Sequence, residues 1–287
     1  MNRSSQANFS SALRMATSLP LLGALLGTVS IAMVLPHNAQ AARLWLLPSS
    51  AQVEGRDPYI TVDAAISENL FDFDRTGLPL EDLQITGPDG AAVAAENQFT
   101  GKLRSTFDVK LSKPGTYKIG LVSDAVMASY KVGSEQKRFR GSAEALAKAL
   151  PANATDVSQT LMHNRVETYV TAGKPNEAAF KTTGVGLELV PLSSPAELQA
   201  DQPARFRFLL DGKPAADFEL SVIPNGVKYR GALNEMRVKT DANGVFAVTW
   251  PQPGMYQVSA SWPAQQGPGQ AVPRRLNYGG TFEVLPQ

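Results

Sequence analysis

Apolar positions in this chain fall mainly on alternate residues, and the clearest alternation occurs twice. Phe107, Val109 and Leu111 are spaced by two, then come Pro114-Gly115, Tyr117 and Ile119; Phe246, Val248 and Trp250 lead in the same way to Pro253-Gly254, Tyr256 and Val258. Period-two patterning predicts a strand with one face in a core. Pro sets φ and Gly accepts the positive φ of a type II turn, so each copy predicts a strand, a reversal and a second strand opening on a buried Tyr. A Tyr just past such a corner returns its hydroxyl to nearby backbone in immunoglobulin-like sandwiches. Tyr117 and Tyr256 are therefore read as framework residues. The matched positions keep a constant offset with no insertion, which predicts two copies of one architecture.

The remaining elements follow from the same pattern. Residues 43–48 are almost continuously apolar, 59–66 alternate imperfectly, and Leu83-Gln84-Ile85 ends at the turn Gly87-Pro88-Asp89-Gly90. With 128–132 as its closing strand, a first sandwich is expected over 43–135. Residues 136–183 read as a connector: a basic run, Gln136-Lys137-Arg138-Phe139-Arg140, then a short helix over 143–150 capped by Ser142 and ended by Pro151, with a second helical piece over 155–162. Residues 165–171 alternate, Val166, Thr168 and Val170 on one face and Glu167, Tyr169 and Thr171 on the other. A second sandwich is expected over 184–287, with a proline-limited edge strand at 187–192, a hairpin joining 205–210 to 218–223, and a closing strand at 280–285. The predicted class is all-β: two immunoglobulin-like β-sandwiches with a short, partly helical connector.

Composition agrees. The chain has 287 residues, 43% hydrophobic and 18% charged, with 23 Gly and 20 Pro, enough for two domains rich in turns. Residues 1–41 read as a signal peptide: Arg3 and Arg14 precede an uncharged run from 19 to 36, and Ala39-Gln40-Ala41 offers a cleavage site after Ala41. Cleavage would take two of the 27 basic residues and none of the 26 acidic ones, moving the formal charge from +1 to −1. A neutral chain has no electrostatic footprint for nucleic acid. There are no cysteines, so core packing and not disulfides must hold the exported domain. The expected location is the periplasm, with membrane contact only through the signal peptide.

Candidate chemistry is sparse. Of two histidines, His37 leaves with the signal peptide, so His163 is the single imidazole of the mature chain. One imidazole without thiolates is a poor basis for a tight nickel, cobalt, copper or zinc site. Glu68, Asp72 and Asp74 form the other candidate metal group, since Asp72 and Asp74 would project from one face of an extended segment and suit a hard cation. No Gly-x-Ser-x-Gly elbow or cysteine nucleophile is present, and no cofactor or catalytic residue is expected. Trp262, ahead of a polar loop, is the best-placed aromatic for a glycan platform.

Several stretches together resemble a family of exported bacterial proteins known as periplasmic components of cobalt or nickel uptake systems. They are Trp45-Leu46-Leu47-Pro48-Ser49, Val62-Asp63-Ala64-Ala65 with Asn69-Leu70-Phe71, Arg165-Val166-Glu167-Thr168-Tyr169-Val170-Thr171, residues 206–214 and residues 250–256. The resemblance implies immunoglobulin-like or carboxypeptidase-regulatory-like sandwiches and a link to transition-metal acquisition at the cell envelope. Family members tied to metal handling carry histidines near the mature N-terminus and after the Asn-Leu-Phe segment, where this chain has Arg43 and Arg75. The expected function is a non-enzymatic accessory or binding protein for nickel, cobalt or iron uptake, partnered by a metal ion or metal complex and by an envelope transporter or receptor. The alternative is a structural or adhesive envelope module that binds protein or glycan through sheet edges and loops.

Overall fold

The structure, a computed structural model, describes residues 42–267 and 270–287. The expected signal peptide and its cleavage point lie outside the described residues. Strands run in the order β1 (Arg43–Pro48), β2 (Gln52–Val53), β3 (Tyr59–Ser67), β4 (Thr76–Gly77), β5 (Leu83–Thr86), β6 (Ala92–Val93), β7 (Glu96–Thr100), β8 (Ser105–Lys110), β9 (Gly115–Val132) and β10 (Glu135–Gly141). Helix α1 (Ala143–Ala149) precedes β11 (Thr155–Ala172). Then follow β12 (Leu187–Pro191), β13 (Pro203–Leu210), β14 (Lys213–Pro214), β15 (Glu219–Pro224), helix α2 (Val227–Arg230), β16 (Met236–Lys239), β17 (Val245–Thr249), β18 (Gly254–Gln265) and β19 (Arg274–Val284).

The protein is all-β, and its two sandwiches share one sheet. That sheet has ten strands, ordered β16-β15-β18-β19-β11-β9-β5-β6 with β10 on β9 and β2 on β11. A five-stranded sheet, β1-β3-β8-β7 with β4 on β3, completes the first sandwich, and a four-stranded sheet, β12-β13-β14 with β17 on β13, completes the second. Strand β11 joins the halves: it pairs antiparallel with β9 and parallel with β19. Its alternation serves two cores. Val166, Val170 and Ala172 pack with Tyr117, Ile119 and Leu121 in the first core, whereas Tyr169 packs with Tyr256, Phe282 and Trp250 in the second. Successive side chains point to opposite faces of a sheet, so the two smaller sheets cover opposite faces of the shared one. Every residue from His163 to Ala172 is buried.

The 136–183 segment therefore holds more than the expected helix. Helix α1 forms as read: the Ser142 hydroxyl accepts from the Ala145 N–H at 3.1 Å, Lys148 meets Glu144 at 2.6 Å, and Leu146 is buried beside Val126 and Ala128. The second helical piece is corrected, because 155–162 is the start of β11, where pairing to β9 overrides a weak local preference. Residues 128–132 are the far end of β9 and turn into β10. The hairpin expected between 205–210 and 218–223 is also corrected. Strand β13 pairs with the two-residue β14, after which the chain crosses to the other sheet and β15 pairs with β16 and β18.

Both corners close as the sequence predicts. The Tyr117 hydroxyl donates to the Lys113 carbonyl and accepts from the Lys113 N–H, each at 2.9 Å, and the Tyr256 hydroxyl donates to the Gln252 carbonyl at 2.7 Å. Gly115 (φ 131) and Gly254 (φ 140) supply the positive φ. At Gly115 space also demands glycine, since a Cβ would sit 2.4 Å from Cβ of Pro88. Trp45 and Trp250 are fully buried, and Trp262 packs beside Phe218 at the margin of the second core.

Candidate functional site

The acidic segment is a turn and not an extended strand. Strand β3 ends at Ser67 and Phe71 adopts φ 64, which breaks the alternation that would have aligned Asp72 with Asp74. Asp74 folds back instead, accepting from the backbone N–H groups of Glu68 (2.9 Å) and Asn69 (3.0 Å) and from the Asn69 amide (3.2 Å). Desolvation opposes ionisation of Asp74, but these hydrogen bonds together outweigh it and hold the carboxyl below its ordinary value. Glu68 lies 3.8 Å from Arg75, and Asp72 lies 4.0 Å from Lys228. Among the described residues no three His, Cys, Asp or Glu side chains converge as metal ligands.

His163 stands apart from that segment, on β11. Its Nδ1 is 2.7 Å from Oδ1 of Asp124, and its Nε2 is buried without a partner. Gly186 closes over the ring so tightly that a Cβ there would fall 2.6 Å from Nε2. The Gly186 N–H donates to Asp211, which also takes Arg274 at 2.6 Å. Next along the strand, Arg165 lies 3.2 Å from Glu167 and 3.6 Å from Glu188, all three side chains at most 5% exposed. Glu188 accepts the Thr183 and Gly184 N–H groups as well. Burial first, and neighbouring charge second, push the Tyr169 and Tyr278 phenols well above their ordinary value. The Arg165, Glu167 and Glu188 side chains are buried in the second sandwich, whereas the Asp124 carboxylate that meets His163 is exposed.

The open site is elsewhere. Where the five-stranded sheet stops, the same face of the shared sheet continues as a trough of about 620 Å³. Its floor is polar because β18 and β19 alternate: Val258, Ala260, Leu276 and Tyr278 enter the second core, leaving Gln257, Ser259, Ser261, Arg275 and Asn277 on the other face. The Ser261 hydroxyl bonds Asn277 Oδ1 at 2.8 Å, and the Asn277 amide donates to Asn164 Oδ1 at 2.9 Å. Strand β1 crosses this face at Gly279, where a Cβ would approach the Leu44 carbonyl to 3.1 Å, and Gln257 Nε2 donates to that carbonyl at 2.8 Å.

Arg43, Arg140, Arg237 and Arg275 enter the trough from β1, β10, β16 and β19. Glu235 engages the Ser221 hydroxyl at 2.5 Å and Arg237 at 3.2 Å. The Ser221 bond chiefly, with Arg237 and Arg43, holds the Glu235 carboxyl low despite some desolvation. Burial pushes the Arg43 guanidinium down, and Glu235 partly restores it. None of the four sequence candidates lines this space. The basic run at 136–140 and Arg43, where the family pattern has histidine, are visible in the sequence, but no local signal joins them to Arg275 or Asn164.

Fold and site together define a class: an all-β protein of two sandwiches on a common sheet, with a cationic, strand-walled trough at their junction. The chain belongs to the family described as domain of unknown function DUF4198, whose profile matches residues 39–264. No curated protein matches it. Among solved structures it is similar to the D0-D1 domain of intimin, at 12% identity and TM-score 0.21, covering 83% of this chain and 97% of that one. It is also similar to a DUF4785 family protein from Legionella pneumophila, at 10% identity and TM-score 0.23, covering 82% of this chain and 54% of that one. Similarity at these scores carries no functional argument.

Proposed function

We propose that the protein is a non-enzymatic binding component of a periplasmic uptake system for nickel, cobalt or iron, holding a metal species in the trough and presenting it to a membrane transporter. The observation that carries this reading is the trough itself, a concavity within the size range of small-molecule sites, walled by strands and open to solvent. With no convergent set of ligating side chains among the described residues, the metal arrives as a complex with its own ligands. Neither the Glu68, Asp72 and Asp74 turn nor the enclosed His163 coordinates it. The family resemblance supplies the link to uptake.

Calorimetric titration with nickel, cobalt, copper, iron and calcium, as simple salts and as chelates, tests the reading. Heat with at least one chelate supports it, and silence with every metal species removes it. The adhesive alternative draws on Tyr229, which is 86% exposed on α2, and on the sheet edge β16. That edge carries Arg237 and Lys239, charges that deter strand addition, so the trough is the stronger site.

A further inference from the structure

Resting on the trough as the binding surface, we infer that it takes a small hydroxy-polycarboxylate, either free or wrapped around a metal ion. Cations reach the trough from several strands. Among the described residues, Arg140 and Arg275 have no carboxylate within 4.0 Å. A guanidinium receives a carboxylate through two parallel N–H bonds, so cations spread across a floor select an anion whose carboxylates are spread likewise. A single compact phosphate is served differently, by convergent backbone N–H groups at a helix N-terminus or glycine-rich loop. The trough's lining is strand throughout, with Ala42 just ahead of β1.

The floor refines the class. The Ser261, Asn277 and Asn164 relay passes its donors one way and ends on the Asn164 amide nitrogen, a neutral donor for a carboxylate oxygen. Gln257 supplies the opposite polarity. The residue is 1% exposed, its Nε2 is spent on the Leu44 carbonyl, and its Oε1 is buried with no partner. Oε1 is closed to solvent as it stands, so the Gln257 amide must turn toward the trough to take the donor that an orphaned acceptor needs. A fully ionised polycarboxylate has none to offer, whereas one bearing a hydroxyl does. The lack of a convergent metal-ligand set among the described residues fits the same ligand, because hydroxy-acids enclose transition metals in their own oxygens and leave an anionic exterior for arginine to read.

Titration of the purified protein with citrate, nickel citrate, tricarballylate (citrate without its hydroxyl) and pyrophosphate tests this. Citrate and its nickel chelate should both bind. Tricarballylate should bind about tenfold more weakly, and Arg140→Ala and Arg275→Ala should each weaken citrate about tenfold, the loss of one charge-assisted pair. Arg140→Lys and Arg275→Lys, which keep the charge and lose the fork, should fall between, with thermal melts confirming that each variant is folded. Silence with citrate in both forms, equal affinity in the alanine variants, equal affinity for tricarballylate, or pyrophosphate binding as tightly as citrate would each overturn the assignment. Nickel bound through a neutral amine chelate while citrate stays silent would sink the polycarboxylate and spare the uptake reading. Silence with every chelate would sink both.

Discussion

The two tyrosine corners make a quantitative test of the framework, because they are alike in shape but not in bonding. Replacing either Tyr with Phe removes one hydroxyl and leaves no cavity, so the change in stability reports hydrogen bonding alone. The Tyr256 hydroxyl makes one bond, to the Gln252 carbonyl. One such bond is the only loss, and Tyr256→Phe should cost about 1 kcal/mol. The Tyr117 hydroxyl serves both the carbonyl and the N–H of Lys113, and Tyr117→Phe should cost about 2 kcal/mol. In urea, with a slope of about 3 kcal/mol per molar, the midpoints should fall by roughly 0.3 M and 0.7 M without a change of slope. The corners belong to separate cores, so the double variant should lose about the sum. Equal costs or the reverse order would refute the difference in bonding, and losses under about 0.3 kcal/mol in both would refute the corner as a source of stability.

Three further outcomes follow from the same geometry. Arg165→Met strands the buried Glu167 and Glu188 carboxylates and should cost about 3–5 kcal/mol by urea unfolding, with Glu167→Gln and Glu188→Gln added together recovering part of it; a cost under 1 kcal/mol would show the carboxylates to be otherwise compensated. Burial holds the Tyr169 and Tyr278 phenols well above the ordinary 10.0 in the folded chain, so just above pH 10 these two phenols ionise in the unfolded chain and stay neutral in the folded one. Stability is full below that pH and falls as pH rises, and the fall in melting temperature should flatten in Tyr278→Phe. Gly115→Ala meets both a disfavoured φ and the Pro88 ring, and should cost about 3 kcal/mol. Gly55→Ala, at φ 110 with nothing within 4 Å of the added Cβ, should cost about 1 kcal/mol; similar losses at both sites would contradict the contact at Gly115.

Local chemistry was legible in the chain. Alternation at 107–111 and 246–250 marks strands because period two is a property of the pleat. Pro-Gly marks the reversals, Ser142 with Glu144 and Lys148 marks a helix, and the split of 165–171 into two sets of faces is recovered in β11 residue for residue. Assembly was not legible. Alternation says which side chains share a face but not which sheet covers it, so the sequence could not tell that Val166 and Tyr169 serve different cores. The parallel pairing of Leu161 with Arg274 joins segments with no local signal between them. Phe71 at positive φ turned an apparent two-carboxylate ledge into a self-capped loop, a backbone choice invisible in residue type. The trough is the furthest from the sequence of all. It exists because the five-stranded sheet ends before the shared sheet does, and the uncovered face gathers arginines from strands far apart in the chain. That is a property of how long each layer is and where it stops, and only the packed structure decides it.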